Sequence, residues 1–201
     1  VTRPTHYNTS WDFARFEVCA HKWIDISENG YGISVLNDCK YGCDIHNGEI
    51  GLTMLKSAVY PNPDADKEHH SFTWSIAPHE GGWREGNTVA KAYVLNNPYQ
   101  TAVKENEGGN LPVSYSFVQA DKENVVIEAV KKAEDSDAVI VRLYECYNRR
   151  GQTTLTFPRP VKRAVICNML EEKMEEVLCC EVNKVPVQLK PYEIVTIKIE
   201  F

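Results

Sequence analysis

The sequence predicts a mainly β protein in two parts, with at most one or two short helices. Apolar and polar residues alternate with a period of two along most segments, as they do in strands with one buried face. Turn signals rich in Gly, Asn, Asp and Pro separate these segments at short intervals. Residues 99–112 have the composition of a connector. We therefore predict domains at residues 1–98 and 113–201.

The first predicted element is a strand that starts at Phe13. From Phe16 to Ile24 its apolar side chains alternate with polar ones, and the run from Tyr31 to Tyr41 repeats the arrangement. A Ser-Glu-Asn-Gly turn signal between the runs predicts a hairpin over residues 13–37. The Asn47-Gly48 signal predicts a second hairpin. Two consecutive hairpins indicate a meander.

A loop, a strand and a short helix complete the first part. Residues 57–70 are polar and contain two prolines, so they predict a loop. Alternation predicts a strand from Phe72 to Ile76 that stops at Pro78. Asn87 is placed to cap a short helix. The apolar residues that we expect on one side of this helix are Val89, Ala90, Tyr93 and Val94.

The second part contains six short alternating segments, which predict a β-sandwich. They are residues 125–130, 138–147, 153–157, 163–168, 185–189 and 194–201. The segment at residues 169–178 is ambiguous, because its apolar residues have helical spacing with glutamates between them. This segment fits either an amphipathic helix or an extended strand.

Composition and charge exclude several classes of function. A net charge of -6 without clustered Lys or Arg argues against nucleic acid as a partner. No apolar run approaches the roughly 20 residues that cross a membrane as a helix. The seven irregularly spaced cysteines favour reduced thiols and a cytoplasmic location. The chain begins at Val1 without a methionine, which suggests a piece of a longer polypeptide.

Five motifs in order along the chain carry a resemblance to a known family. They are RPTHYNTSWDFARFEVCAHKW, the aspartate and serine of WIDIS, GISVLNDCKYG with DIH, PNPDADKEHHSFTWSIAPH, and LKPYEIVTIKI. They resemble the C-terminal half of glycoside hydrolase family 38 alpha-mannosidases, most closely the cytosolic type. The resemblance implies that the first part belongs to a large antiparallel β-sandwich, a galactose-mutarotase-like supersandwich. It also favours the extended alternative for residues 169–178.

The resemblance also implies what this chain does and does not do. The family hydrolyses alpha-mannosides with retention, using two carboxyl groups and a zinc ion in an upstream catalytic domain; retention requires carboxyl groups about 5 Å apart. No motif here matches the family's nucleophile or zinc ligands. We therefore expect no catalytic residue, metal or cofactor in this chain. Its expected partners are the catalytic domain of the same polypeptide and, through the full enzyme, mannose-containing oligosaccharides. Self-association through exposed apolar surface is also expected.

Seven polar residues are candidates for the surface that faces the catalytic domain or lines its sugar cleft. They are Arg15, Glu17, His21, Asn37, Asp38, Lys40 and Tyr41. Their amide, carboxylate, ammonium and phenol groups suit a polyhydroxylated ligand, and a ring suits the apolar face of a sugar. A cross-strand charge pair with a structured turn explains the same residues without a ligand. An autonomous carbohydrate-binding or structural interaction module is the alternative function.

Other polar clusters favour structural roles. The histidines 69, 70 and 79 match no metal-ligand spacing, so we expect a solvated loop beside a strand end. The glutamates between residues 171 and 176 are expected to form a solvated face.

The four tryptophans are considered as sugar-stacking platforms. Trp23 and Trp74 fall on predicted strands and are expected in the core. Trp83, next to two glycines, is expected to be the freest of the four.

Overall fold

The structure, a computed structural model, describes residues 2–103, 108–110, 112–177 and 182–201. The described residues form fourteen strands and two short helices, which confirms the mainly β prediction. The chain divides into two compact units, Val1–Val103 and Lys104–Phe201.

The first unit contains both helices and two three-stranded antiparallel sheets. Its elements are α1 (Ser10–Ala14), β1 (Glu17–Cys19), β2 (Trp23–Glu28), β3 (Tyr31–Asn37), β4 (Gly42–His46), β5 (Glu49–Leu52), β6 (Trp74–Glu80) and α2 (Thr88–Asn96). One sheet has the strand order β2-β3-β6 and the other has the order β1-β4-β5.

Both predicted hairpin turns are confirmed, but the predicted meander is wrong. β2 pairs with β3 across a turn that ends at Gly30, and β4 pairs with β5 across Asn47 and Gly48. All three turn residues have positive φ, which Gly and Asn tolerate. β6 occupies the second edge of β3, so β4 pairs with β1 instead. The two hairpins therefore lie in different sheets.

The predicted strand from Phe13 is wrong in its first half. The Thr9 side chain accepts from the backbone N–H of Asp12, and the Asp12 side chain accepts from that of Thr9. This capping box starts the helix α1. Farther on, Lys22 has a φ of 68° between β1 and β2. The alternating pattern therefore spans a helix and two strands that belong to different sheets.

β6 continues through Pro78 to Glu80, beyond its predicted end, and it buries the face opposite to the one expected. It lies at an edge of its sheet, where proline is tolerated. Trp74 and Ile76 are 49% and 56% exposed. The side chains on the other face of the strand are Ser75, Ala77 and His79.

The predicted helix is confirmed as α2, although two details of the prediction are wrong. Asn87 precedes the helix with a φ of 52°, and its side chain makes no capping hydrogen bond. Val89 and Ala92 are buried, whereas Ala90 and Val94 are exposed. Neither helix among the described residues has the length and hydrophobicity to span a membrane.

The second unit is a β-sandwich, and all six predicted strands are present. Its strands are β7 (Gln119–Ala120), β8 (Val125–Lys132), β9 (Val139–Glu145), β10 (Gly151–Thr156), β11 (Arg163–Cys167), β12 (Lys173–Val177), β13 (Lys184–Leu189) and β14 (Ile194–Glu200). They form sheets with the orders β13-β10-β7 and β12-β11-β14-β9-β8. Because β12 pairs with β11, the extended alternative is confirmed for residues 173–177. Leu178 lies outside the described residues.

One hydrophobic core lies between the two sheets of the second unit. Leu155 and Val185 come from the three-stranded sheet, and Leu143 and Ile197 from the five-stranded sheet; all four are fully buried. Burying such a side chain contributes about 1.5–3 kcal/mol. The first unit buries far fewer apolar residues among those described, namely Ile24, Leu36, Cys43, Val89 and Ala92.

Candidate functional site

The polar turn after β3 holds buried atoms without protein partners. Asn37 is 1% exposed, and neither Oδ1 nor Nδ2 has a hydrogen-bond partner among the described residues. Asp38 Oδ2 accepts from the Thr73 backbone N–H at 2.9 Å, whereas Oδ1 is buried with no described nitrogen or oxygen donor. Buried polar atoms without partners are destabilising. These two side chains are therefore the candidates best suited to contact a further group.

The ionisation of Asp38 is coupled to the neighbouring Cys39. The Cys39 thiol and the Thr73 backbone N–H hold the pKa of Asp38 below its ordinary value. The same contact raises the pKa of the Cys39 thiol, because the thiol donates to the carboxylate. Asp38 is therefore a carboxylate at neutral pH, and Cys39 is a protonated thiol.

Tyr41 connects two other predicted site residues. Its hydroxyl donates to the Asp38 carbonyl at 3.1 Å. The His21 ring lies edge-on to the Tyr41 ring with centroids 4.4 Å apart. The Lys40 ammonium lies 5.3 Å from the centroid of the Phe72 ring. The structure thus brings His21, Asp38 and Tyr41 together.

Arg15 and Glu17 have separate contacts of their own. Arg15 is the C-cap of α1, so it does not share a strand with Glu17 as the sequence predicts. Its carbonyl accepts from the Arg3 guanidinium at 3.1 Å. Glu17 lies in β1 and accepts from the Thr53 hydroxyl at 3.1 Å. The predicted polar face is therefore divided between a helix end and a strand.

A second polar cluster, which the sequence does not predict, lies within the sheet β2-β3-β6. Asp25 Oδ2 accepts from the Ser34 hydroxyl at 2.6 Å and lies 2.6 Å from His79 Nε2. The Ser34 hydroxyl also lies 2.6 Å from the Thr88 hydroxyl. The Asp25 and His79 side chains are each 3% exposed. We call these four residues the buried network, and it joins three strands to the first residue of α2.

His79 is thus buried in a sheet, and the prediction of a solvated loop is wrong for this residue. Its ring lies between two glycines. A Cβ atom on Gly32 would lie 2.3 Å from Cε1, and one on Gly86 would lie 2.5 Å from Cγ. Because the Ser34 hydroxyl bonds to Asp25 and Thr88 rather than to the imidazole, the cluster has a structural arrangement. Among the described residues, no three His, Cys, Asp or Glu side chains are grouped as metal ligands.

The tryptophans differ from their predicted environments. Trp83 packs against Trp23 with ring centroids 5.1 Å apart, and the Arg84 guanidinium lies 4.2 Å from the Trp83 ring centroid. Trp83 is therefore not the freest of the four, and Trp74 is not in the core. Trp11 is 73% exposed on α1, a helix without buried residues.

The prediction of a solvated glutamate face is wrong for Glu171. This residue is 9% exposed and accepts from the Glu134 backbone N–H at 2.9 Å. Lys131 pairs with it at 2.8 Å. The Lys131 ammonium and the Glu134 N–H hold the pKa of Glu171 below its ordinary value. The carboxylate therefore links the loop that contains Glu171 to the loop that contains Glu134, both in the second unit.

Solved structures share this fold. An alpha-mannosidase from Enterococcus faecalis V583 superposes with a TM-score of 0.77 at 19% sequence identity, covering 100% of this chain and 23% of that protein. A protein in the glycosyl hydrolase family 38 from Enterococcus faecalis superposes with a TM-score of 0.72 at 18% identity, covering 92% of this chain and 22% of that protein.

Curated relatives match nearly the whole chain. Alpha-mannosidase G of Dictyostelium discoideum is 39% identical over 98% of this chain and 18% of the relative. Alpha-mannosidase 2C1 of Homo sapiens is 38% identical over 85% of this chain and 16% of the relative. Alpha-mannosidase of Saccharomyces cerevisiae is 34% identical over 99% of this chain and 20% of the relative. The chain spans about a fifth of the length of these relatives.

Two family models match separate parts of the chain. The glycosyl hydrolases family 38 C-terminal domain matches residues 1–64. The glycosyl hydrolases family 38 C-terminal beta sandwich domain matches residues 124–197, within the second unit. These two matches and the curated relatives show that the chain belongs to glycosyl hydrolase family 38 and represents the C-terminal region of that family.

Proposed function

We propose that this chain is a non-catalytic C-terminal part of a cytoplasmic alpha-mannosidase, where it braces the catalytic domain and lines part of the sugar cleft. The observation that carries the proposal is the exposed apolar surface on one face of the sheet β2-β3-β6. On that face Tyr31, Trp74 and Ile76 are 48%, 49% and 56% exposed. Contiguous exposed apolar surface is typical of an interaction site.

The small core of the first unit supports the same proposal. The face of β2-β3-β6 that carries the buried network packs under α2. The opposite face buries Ile24 but leaves Trp74 and Ile76 about half exposed. A sheet is stable when its apolar face packs against another layer. The curated relatives are about five times longer than this chain. We propose that the polypeptide beyond the matched stretch supplies the covering layer.

The turn formed by Asn37, Asp38 and Tyr41 is the proposed polar contact at the edge of this interface. Asn37 offers a donor and an acceptor that have no described partner, and Asp38 offers one carboxylate oxygen. A backbone segment of the catalytic domain or a sugar hydroxyl has the complementary groups. His21 and Lys40 lie in the same part of the chain and complete the proposed polar wall.

In this proposal the reactive groups belong to the rest of the enzyme. Retaining hydrolysis of an alpha-mannoside requires two carboxyl groups about 5 Å apart. A zinc ion bound by the catalytic domain would orient the sugar. The chain described here contributes packing surface and polar contacts, and mannose-containing oligosaccharides reach it only in the complete cleft.

An autonomous carbohydrate-binding module is the second candidate, and Trp11 is the observation that favours it. Its ring is 73% exposed beside Phe13, which is 70% exposed. Exposed aromatic rings stack on the apolar faces of sugars. Calorimetric titration of the chain with mannose and mannobiose separates the two candidates. A heat of binding that disappears in the Trp11→Ala variant would favour the carbohydrate-binding module. If the chain is only part of a cleft, we expect no measurable heat of binding.

A chimeric enzyme tests the main proposal. This chain replaces the matching stretch of the Dictyostelium discoideum alpha-mannosidase G, and hydrolysis of an aryl alpha-mannoside is measured. We expect the chimera to be active and the isolated chain to be inactive with or without zinc. The double variant Trp74→Ser/Ile76→Ser should lower the activity and the yield of soluble chimera.

A matched double variant controls for the loss of exposed apolar surface. Tyr99→Ser/Ile194→Ser also removes one aromatic ring and one isoleucine, 83% and 65% exposed, and neither residue belongs to the sheet β2-β3-β6. It should leave the chimera active. Equal losses in both double variants, or zinc-dependent turnover by the isolated chain, would contradict the proposal.

A further inference from the structure

The first unit contains two exposed cysteines with opposite surroundings. Of the five cysteines that the structure describes, Cys43 and Cys167 are buried and Cys146 is half-buried. Burial raises the pKa of the Cys43 and Cys167 thiols. Cys19 and Cys39 are therefore the accessible thiols within the described ranges.

Cys39 is held in its unreactive form. Its thiol donates to the Asp38 carboxylate, which raises the pKa of the thiol. Because the thiolate is the nucleophile, a thiol that is kept protonated by a neighbouring anion reacts slowly. Cys39 is thus an exposed cysteine with low expected reactivity.

Cys19 has a base within reach. Its Sγ lies 3.7 Å from His21 Nε2. The His21 ring is held edge-on against Tyr41, with centroids 4.4 Å apart, and the Ala20 backbone N–H donates to the Tyr41 carbonyl at 2.8 Å. A nucleophile beside a base that a third group orients is the arrangement of an activated thiol. Both side chains are exposed, so a reagent can approach them.

We propose that Cys19 is a reactive thiol, activated by His21, that forms mixed disulfides with small disulfide molecules. His21 Nε2 takes the thiol proton, and the Cys19 sulfur attacks one sulfur of the reagent. The new S–S bond forms as the old one breaks, and the leaving thiolate takes the electron pair of the broken bond and then the proton from His21. The disulfide reagent is the oxidant, one small thiol is released, and the step is balanced. This inference does not depend on the proposed role in an alpha-mannosidase.

The test uses the full chain, reduced and then exposed to oxidised glutathione. Samples are quenched with iodoacetamide over time, and the modified cysteines are identified by peptide mass spectrometry. This readout separates Cys19 from every other cysteine in the chain, including Cys179 and Cys180. At pH 7 we expect Cys19 to react at least about 10-fold faster than Cys39, because a neighbouring base can take the proton of Cys19 whereas a neighbouring carboxylate opposes ionisation of Cys39.

Two variants separate activation from simple exposure. His21→Gln should slow the reaction of Cys19, because the base beside the thiol is lost, while Cys39 is unaffected. Asp38→Asn should speed the reaction of Cys39 and leave Cys19 unchanged. His21 is exposed, and an unchanged melting temperature checks that the His21→Gln variant folds. Equal rates at Cys19 and Cys39 in the unaltered chain, or an unchanged rate of Cys19 in His21→Gln, would overturn the proposal.

Discussion

The Nε2 atom of His79 lies 2.6 Å from Oδ2 of Asp25, and both side chains are 3% exposed. Removing one partner of a buried pair leaves the other without compensation. We therefore expect Asp25→Asn, which disrupts the buried hydrogen bonds, to lower the free energy of unfolding of the first unit by about 1–3 kcal/mol. All four tryptophans lie in this unit, so tryptophan fluorescence during urea unfolding reports on it.

An exposed ion pair provides the control for this variant. Lys67 and Asp64 lie 3.1 Å apart with side chains 56% and 79% exposed. Because exposed pairs contribute little, Asp64→Asn should cost less than about 1 kcal/mol. If both variants have the same small effect, the buried network does not stabilise the unit.

The two glycines around the His79 ring give a second prediction. Alanine at Gly32 or Gly86 would place a Cβ atom within 2.5 Å of the ring, so we expect each variant to lose about 1–3 kcal/mol of stability. Gly151→Ala should be nearly neutral, because nothing lies within 4 Å of the added atom. In a His79→Ala background the cost of Gly32→Ala should shrink, which a double-mutant cycle measures. If Gly32→Ala costs as much stability in the His79→Ala background, the cost arises from the backbone and not from contact with the ring.

The third prediction concerns Glu145, which is 1% exposed in the second unit. Burial alone would raise the pKa of this carboxyl. Hydrogen bonds donated by the backbone N–H of Tyr192, the Asn124 side chain and the backbone N–H of Tyr147 outweigh burial and hold the pKa below its ordinary value. Because the pKa of Glu145 is lower in the folded protein than the ordinary value of 4.5, its carboxylate stabilises the fold above that pH. This stabilisation is lost as the pH falls through the pKa of the folded state.

Glu145→Gln should therefore destabilise the second unit by about 2–4 kcal/mol at neutral pH and flatten its loss of stability in acid. Circular dichroism melts between about pH 7 and pH 3 measure both effects. Glu123→Gln, at an exposed position nearby in the chain, serves as the control and should leave the acid profile unchanged. An identical acid profile for the two variants would contradict the role of Glu145.

The fourth prediction concerns association of the isolated chain. The exposed rings and aliphatic side chains on β3 and β6 should drive self-association that increases with concentration. Multi-angle light scattering should show a mass above that of the monomer, and Trp74→Ser/Ile76→Ser should reduce it. If the unsubstituted chain is monomeric at high concentration, the apolar face does not drive self-association.

Six of the eight strands described in the second unit could be predicted from the sequence, because their side chains alternate about one local core. Along β14, for example, Val195, Ile197 and Ile199 all face the core. In the first unit the same alternation is present but does not specify which strands pair. The capping box at Thr9 and Asp12 is visible in the sequence, but the alternating run beside it favours a strand.

The candidate site shows the same limit. The turn from Asn37 to Tyr41 is predictable because consecutive polar residues follow an apolar strand. Asp25 and His79 are separated by 54 positions, and their contact depends on the register by which β3 pairs with both β2 and β6. The turn at Gly30 sets the register of β2 with β3, but β3 and β6 are far apart in the sequence, so no local pattern indicates how they pair.

Pro78 has a consequence for how the sheet β2-β3-β6 can be enlarged. Proline has no backbone N–H, so β6 cannot offer a continuous ladder of donors to another chain. β2, at the opposite border of the sheet, has no proline along Trp23–Glu28. Any strand added from elsewhere in a larger enzyme should therefore pair with β2. Pro78 disfavours the addition of a strand at the β6 edge.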